Sequence, residues 1–149
     1  MVQITIILLK LGGIPLGLKF DSQGNLIVEN VYEGILSIDT TGEVTILSTE
    51  CDSLPFLLTD DLDISPDGII YFSYASSVNN LANSRDDWGE PNSRLLAYDP
   101  QKNMTSLLSD GLYFANGVAL APDESYVLVN EISLGRVRRY WLGWMGLTR

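Results

Sequence analysis

One pattern recurs three times along the chain and limits the folds open to it. Each copy is a short alternating strand, a polar turn and a second, nearly continuous apolar strand, and the copies span 16–28, 60–72 and 116–128. Pro66 and Pro122 suit the second position of a type I turn, where φ is about −65°. The apolar runs of the second strands predict that these strands are covered on both faces.

Further strands follow each copy at regular places. Third strands are predicted at 34–39, 93–99 and 135–140, and fourth strands at 44–47 and 104–108. The repeat is about 44 residues long and then about 56, and the excess falls in the polar stretch 76–92. Four short strands in a repeat of roughly 40–50 residues are typical of propeller blades. A β-sandwich is the alternative, but the turn residues also recur in register, which favours the propeller.

The predicted fold class is therefore all-β, an incomplete β-propeller of about three four-stranded blades. The blades are placed at approximately 15–49, 59–109 and 115–142, with a strand at 3–9 that belongs to or completes a neighbouring blade. A closed propeller has roughly 4 to 8 blades, so three leave the ring open. The two open blade faces would be apolar, which predicts self-association.

Composition excludes several classes of partner and chemistry. The chain has 9 basic and 19 acidic residues, a net charge of −10, so no nucleic-acid partner is expected. It has no histidine, which removes histidine-based nucleophile activation and the usual zinc ligand. Cys51 is the single cysteine. The sequence predicts a soluble protein with no transmembrane segment and no evident signal peptide, and it leaves the compartment open.

Several segments, in order along the chain, resemble the strictosidine-synthase-like family. They are Pro15–Leu18 with Phe20 and Asp21, then 54–56, 60–64, 70–77, 94–100, 111–120 and 126–142. The resemblance implies a six-bladed propeller with a central tunnel and a pocket at one mouth, so that this chain carries about three of the expected six blades. The family includes plant enzymes that condense tryptamine with secologanin and relatives with arylesterase or lactonase-like activity. The wider clan of gluconolactonases and paraoxonases holds calcium in the tunnel.

The resemblance implies a fragment of a protein that acts on a small-molecule substrate. The parent is expected to be a calcium-assisted ester or lactone hydrolase or a strictosidine-synthase-like enzyme, and the alternative is a non-catalytic propeller interaction module. The family's acid–base glutamate lies on a late blade that this chain lacks, so the catalytic residues are unknown. The sequence also departs from the family at Glu29 and Asn30, which replace a usual Ala-Asp, and at Tyr74, which replaces a common Asp.

Two positions correspond to metal ligands of the clan. Asp60 and Asn116 each precede or begin an innermost strand, and their oxygens suit Ca²⁺, the one cofactor expected. Asp61 and Phe114 are predicted to line the substrate pocket. The structural alternative is that Asp60 and Asn116 cap turns and satisfy backbone N–H groups.

A motif near the end of the chain is interpreted as structural. Glu131 is predicted to form an ion pair with the basic group Arg136, Arg138 and Arg139. The aromatic cluster is predicted to belong to the core between blades; its members are Tyr113, Phe114, Tyr140 and Trp141.

Overall fold

The computed structural model describes residues 9–78, 83 and 89–143. In this part of the chain the strands are β1 Pro15–Phe20, β2 Leu26–Asn30, β3 Gly34–Ile38, β4 Val44–Ser48, β5 Glu50–Cys51, β6 Leu54–Pro55, β7 Leu58–Ile64, β8 Ile70–Ser76, β9 Ser93–Asp99, β10 Met104–Leu112, β11 Ala115–Leu120, β12 Tyr126–Glu131 and β13 Arg136–Trp141. A short 3-10 helix, Ile132–Leu134, connects the last two strands. None of the helices described is long and apolar enough to cross a membrane.

The strands form three main antiparallel sheets in which chain order equals spatial order. Sheet 1 is β1-β2-β3-β4, sheet 2 is β7-β8-β9-β10, sheet 3 is β11-β12-β13, and β5 and β6 form a small hairpin. Consecutive up-and-down sheets of this kind are propeller blades. The predicted fold class, an all-β incomplete propeller, is confirmed. The predicted strand at 3–9 lies, except for Leu9, outside the described residues.

The predicted turn appears at the same place in each sheet. The N–H of Gly24, Gly68 and Glu124 donates to the carbonyl three residues earlier, at 3.2, 2.9 and 2.8 Å. These donors have positive φ values of 85°, 92° and 57°. Glycine adopts this left-handed backbone freely, whereas Glu124 does so against the preference of its side chain. The turn geometry of the third copy is therefore set by its surroundings as well as by its sequence.

The core consists of the side chains packed between neighbouring sheets. Between sheets 1 and 2 the buried side chains include Ile27, Ile35, Phe56, Leu62, Ile70, Phe72, Tyr74, Leu96 and Tyr98. Between sheets 2 and 3 they are Leu95, Leu112, Ala115, Val118, Val127 and Val129. Phe56 meets the rings of Phe72 and Tyr74 edge-on, each at 5.5 Å between centroids. Tyr74, where the family commonly has an aspartate, thus serves as a core aromatic.

Two aspartates of β7 bond to the backbone of β11. The innermost strands belong to different sheets and form no ladder with each other, so their edge N–H groups need other acceptors. The carboxylate of Asp61 accepts from Val118 N–H at 2.9 Å, and that of Asp63 accepts from Leu120 N–H at 2.7 Å. Asp63 also forms an ion pair with Lys19 on β1. These side chains therefore link the inner strands of all three sheets.

Replacing Asp63 by alanine is expected to lower the free energy of unfolding by about 1.5–3 kcal/mol. The change leaves Leu120 N–H and the Lys19 ammonium without their acceptor. Asp110→Ala, at an exposed position of β10, is the matched control and is expected to change stability by less than about 0.5 kcal/mol. Urea unfolding of the wild type and the two variants measures the free energies of unfolding. Equal losses in the two variants would show that Asp63 does not stabilise the contact between the inner strands.

Candidate functional site

The two predicted metal ligands meet at one end of the innermost strands. Asp60 lies on β7 and Asn116 on β11, and Asn116 Nδ2 donates to Asp60 Oδ2 at 2.5 Å. Asn116 Oδ1 accepts from the N–H of Gly117 at 2.9 Å. The structure thus brings these two side chains into direct contact across two sheets, while their binding of a metal stays a prediction.

The carboxyl of Asp60 is perturbed by its surroundings. Burial raises its pKa to about 6, the negative charge of Asp61 adds to the rise, and the hydrogen bond from Asn116 opposes it. Asp60 is therefore mainly ionised at neutral pH and takes up a proton in mild acid. It can serve as a ligand for a cation or as a carboxyl that exchanges a proton near pH 6.

Glu29 is a third carboxyl of this region, and the sequence analysis predicts no site role for it. It lies on β2, its side chain is fully buried, and both of its oxygens lack a hydrogen-bond partner within the described part of the chain. Burial raises its pKa well above the usual value, and the charges of Asp60 and Asp61 raise it further. The sequence does contain a signal for it: Glu29 lies within an apolar strand, and a carboxylate is rarely fully buried unless it has a partner.

The neighbouring Asn30 has a structural role. Its Oδ1 accepts from the backbone N–H groups of Ile14 and Tyr32 at 3.3 and 3.2 Å. Its Nδ2 donates to the carbonyl of Gly12 at 2.5 Å. Asn30 therefore fixes the segment that enters β1 and leaves little of its amide free for a ligand.

The two predicted pocket residues differ in how they are held. Asp61 is half-buried, and one of its oxygens is committed to Val118 N–H. Phe114 has a φ of 52°, in the left-handed region, and packs against the cluster of Val31, Leu58 and Ala75. A bulky residue in this conformation is strained, and strain of this kind concentrates at functional sites. That Asp61 and Phe114 line a substrate pocket remains a prediction.

The side-chain oxygens near the Asp60–Asn116 contact are of the type that calcium prefers. Asp60, Glu29 and Asn116 offer oxygen ligands, which suit a hard cation. Three residues are fewer than Ca²⁺ needs, because it takes about six to eight oxygen ligands. No group of three or more His, Cys, Asp or Glu side chains is placed to hold a metal ion in residues 9–78, 83 and 89–143. The described residues therefore show no complete metal site, and binding of Ca²⁺ by Asp60 and Asn116 stays a prediction.

Glu131 forms the ion pair that the sequence predicts. Its carboxylate is fully buried and accepts from Arg136 at 2.6 Å, from Arg138 at 3.0 Å and from the N–H of Tyr113 at 3.1 Å. Arg139 differs from the prediction, because its guanidinium stacks on aromatic rings instead. The reason is strand alternation, which points Arg139 to the other face of β13. Glu131 is thus structural.

The aromatic cluster near Glu131 is only partly core. Tyr140 packs into the core between sheets 2 and 3. Trp141, predicted to lie in the same core, is 47% exposed on the opposite face of sheet 3, so that prediction was wrong. Successive side chains of a strand point to opposite faces, so Tyr140 faces the core and Trp141 faces away from it.

Comparison with known proteins identifies the family. The family model described as strictosidine synthase matches residues 60–143. The chain belongs to the strictosidine synthase family. The match includes Asp60 and Asn116, whereas Glu29 lies outside it.

Curated relatives agree with this assignment. Strictosidine synthase-like protein 7 of Arabidopsis thaliana is 36% identical over 88% of this chain and 36% of its own length. Strictosidine synthase-like protein 2 of the same plant is 42% identical over 87% of this chain and 36% of its own. The adipocyte plasma membrane-associated protein Hemomucin of Drosophila melanogaster is 34% identical over 87% of this chain and 24% of its own. The chain therefore spans about a third of the length of the family members from the plant.

Solved structures support the fold. A gluconolactonase from Xanthomonas campestris superposes with a TM-score of 0.71 at 19% identity, over 86% of this chain and 44% of that one. A calcium-binding protein, regucalcin, from Agrobacterium tumefaciens superposes with a TM-score of 0.65 at 19% identity, over 89% of this chain and 41% of that one. At these identities the likeness shows the propeller fold alone.

Proposed function

We propose that this region contributes ligands to a Ca²⁺ site of an enzyme that acts on a small-molecule ester or lactone, or catalyses a condensation of the strictosidine synthase type. The proposed ligands are Asp60, Asn116 and Glu29. Glu29 carries the proposal, because it is a fully buried carboxyl with two oxygens that lack hydrogen bonds in the described part of the chain.

The electrostatics of the three carboxyls favour a bound cation. Ionised Glu29 is desolvated and repelled by Asp60 and Asp61. The effective cost of burying one uncompensated carboxylate is several kcal/mol. A divalent cation would offset both the desolvation and the repulsion. A proton on Glu29 also removes its charge, but it leaves the carboxyl oxygens without hydrogen-bond partners in the described part of the chain.

Each residue has a distinct task in such a site. Asp60, whose pKa is about 6, is ionised at neutral pH and ready to ligate. Asn116 holds Asp60 in place through its amide. When bound, Ca²⁺ supplies a Lewis acid that polarises a carbonyl. Two solved propellers of similar fold, a calcium-binding regucalcin and a gluconolactonase, support the proposal by analogy.

The alternative function is a non-catalytic interaction module. It is favoured by the Asn116–Asp60 hydrogen bond, in which the two proposed ligands already satisfy each other. Hydrolysis of aryl esters and lactones by a full-length family protein with this segment, with and without Ca²⁺, separates the two functions. Calcium-dependent turnover supports the enzyme, and binding of a protein partner without turnover supports the module.

Adding Ca²⁺ is expected to raise the Tm of this chain at pH 8. Occupancy at about 100 times Kd stabilises by about 2.7 kcal/mol, or roughly 5–10 °C in a chain of this size. Asp60→Asn removes a charged ligand, so the Tm of this variant is expected not to rise with Ca²⁺. The Tm of the exposed control Asp110→Asn is expected to rise as in the wild type. Thermal scans with Ca²⁺ and with EDTA measure both. An unchanged Tm of the wild type in millimolar Ca²⁺ would contradict the proposed calcium site.

A further inference from the structure

The innermost strand of each main sheet carries one extra residue at the same place. In sheet 1, Leu16 and Gly17 of β1 lie opposite Glu29 of β2 alone, because the pairing register shifts there. The corresponding residues are Asp60 and Asp61 opposite Ser73 in sheet 2, and Asn116 and Gly117 opposite Asn130 in sheet 3. An extra residue of this kind is a β-bulge, which changes the direction of side chains and is frequent next to active sites.

All three proposed calcium ligands belong to these bulges. Asp60 and Asn116 are the first residues of the bulges in sheets 2 and 3, and Glu29 is the residue opposite the bulge in sheet 1. The bulges therefore determine where the ligand oxygens point. A residue that fixes one bulge against the next also fixes the distances between these oxygens.

Gly17 is the residue at which the bulge of β1 meets the backbone of β7. A Cβ atom on Gly17 would lie 2.8 Å from Cα of Asp61, 2.9 Å from Oδ1 of Asp61 and 3.0 Å from the carbonyl oxygen of Asp60. Carbon atoms in contact are about 3.5–4.0 Å apart, so no side chain fits there unless a strand moves. The φ of Gly17 lies outside the left-handed region. Space, and not backbone conformation, therefore requires glycine at this position.

The bulge of β7 is also fixed by hydrogen bonds to β8 and β11. Ser73, fully buried on β8, accepts from the N–H of Asp61 at 3.1 Å, and its hydroxyl donates to the Asp61 carbonyl at 3.3 Å. The Asp61 carboxylate accepts from Val118 N–H, as described above. The Asp60 carboxylate accepts from the Asn116 amide. A shift of residues 60–61 that is large enough to admit a Cβ atom would therefore disturb these hydrogen bonds.

We propose that Gly17 is a positioning residue of the candidate site. Because it has no side chain, the bulge of β7 can lie against β1 in the one placement that directs Asp60 to Asn116 and Asp61 to Val118. Gly17 acts through the backbone of residues 60–61 and is not itself a ligand. Its effect on the affinity for Ca²⁺ rests on the proposed calcium site, whereas its effect on the two carboxylates does not.

Gly17→Ala adds a single methyl group and tests the proposal. The side-chain amide of Asn116 and the N–H of Val118 report on the two carboxylates, because each donates to one of them. In amide NMR spectra of the chain in EDTA, both signals are expected to shift in Gly17→Ala. Titration calorimetry with Ca²⁺ is expected to show a Kd that rises about 10–100-fold, the range for replacing residues that orient metal ligands.

Gly24→Ala is the matched control on the same hairpin. Gly24 lies in the turn after β1 and has a φ of 85°, so alanine is strained there. An added Cβ atom meets nothing within 4 Å, apart from the chain neighbours of Gly24. This variant therefore loses stability without contacting residues 60–61. It is expected to keep both NMR signals and the Kd for Ca²⁺, which separates a loss of stability from a displaced ligand.

The possible results lead to different conclusions. Unchanged signals of Asn116 and Val118 in Gly17→Ala, or equal shifts in Gly24→Ala, would overturn the proposal. The same holds if Gly17→Ala does not fold while Gly24→Ala does, because Gly17 then serves the fold and not the site. Shifted signals with an unchanged Kd for Ca²⁺ would also contradict it. A wild type that binds no Ca²⁺ contradicts the proposed calcium site, whereas the NMR signals, which need no metal, still show whether Gly17 positions the two carboxylates.

Discussion

Replacing Glu131 by alanine is expected to lower the free energy of unfolding by about 3–5 kcal/mol, the range for removing one partner of a buried ion pair. The buried carboxylate accepts from both Arg136 and Arg138 and from the N–H of Tyr113. The change leaves two guanidinium groups and a backbone donor without their acceptor. It also loosens β12 against β13, the outermost strand of sheet 3 in the described residues. Urea unfolding followed by circular dichroism measures the loss.

The arginines provide the internal comparison. Their side chains are 49% and 34% exposed, so Arg136→Ala or Arg138→Ala leaves Glu131 one ion-pair partner and is expected to cost less than Glu131→Ala. Glu124→Ala, at an exposed turn, is the surface control. Equal losses for Glu131→Ala and Glu124→Ala would show that the carboxylate contributes nothing specific.

The pH dependence of this contribution has a definite sign. Burial raises the pKa of Glu131, but the hydrogen bonds from Arg136 and Tyr113 and the charges of both arginines outweigh it, so the pKa is lowered. A carboxyl with a lowered pKa stabilises the fold above its unfolded pKa, about 4.3, and loses that contribution as the pH falls through the folded value. The difference between wild type and Glu131→Ala should therefore shrink in acid.

The turns and strands of the blades were predictable because they depend on residues that are close together in the sequence. Pro66 and Pro122 and the apolar alternation predict the turns and most strand positions, which the sheets confirm. β10 extends to Leu112, beyond the fourth strand predicted at 104–108, since irregularities at Ser109 and beyond let the strand continue after its pairing shifts. Such irregularities leave little trace in a hydrophobic pattern.

The contacts between sheets were not predictable, because the residues that a side chain meets in the next sheet depend on how the sheets pack together. Asp63 bonds to Leu120 N–H, 57 residues away, and nothing local distinguishes this aspartate from a turn cap. Arg139 and Trp141 lie on the face of sheet 3 opposite to Glu131 and the core, and a shift of one residue along β13 would exchange the two faces. Asp60 and Asn116 were found from the resemblance, but their contact with each other needed the folded chain.

Glu29→Met is expected to raise the free energy of unfolding at pH 8 without Ca²⁺ by about 1–4 kcal/mol, the range for replacing buried ion pairs with apolar side chains of similar volume. Methionine fills the same space in β2 and carries no desolvated oxygens. Glu29→Gln keeps the shape and keeps polar atoms without partners, so its gain should be smaller. Glu43→Met, at an exposed turn, is the control for added methionine.

The same variant separates a metal ligand from a protonated core residue. The pKa of Glu29 is raised above its unfolded value, so the folded state binds its proton more tightly and stability falls as the pH rises through and above the unfolded pKa. Glu29→Met should flatten this slope in EDTA. With Ca²⁺ at pH 8 the wild type should gain stability and the variant should not, because the ligand is gone. A variant that is destabilised, keeps the pH slope, or still responds to Ca²⁺ would contradict the assignment of Glu29 as the unpaired ligand on which the proposed calcium site depends.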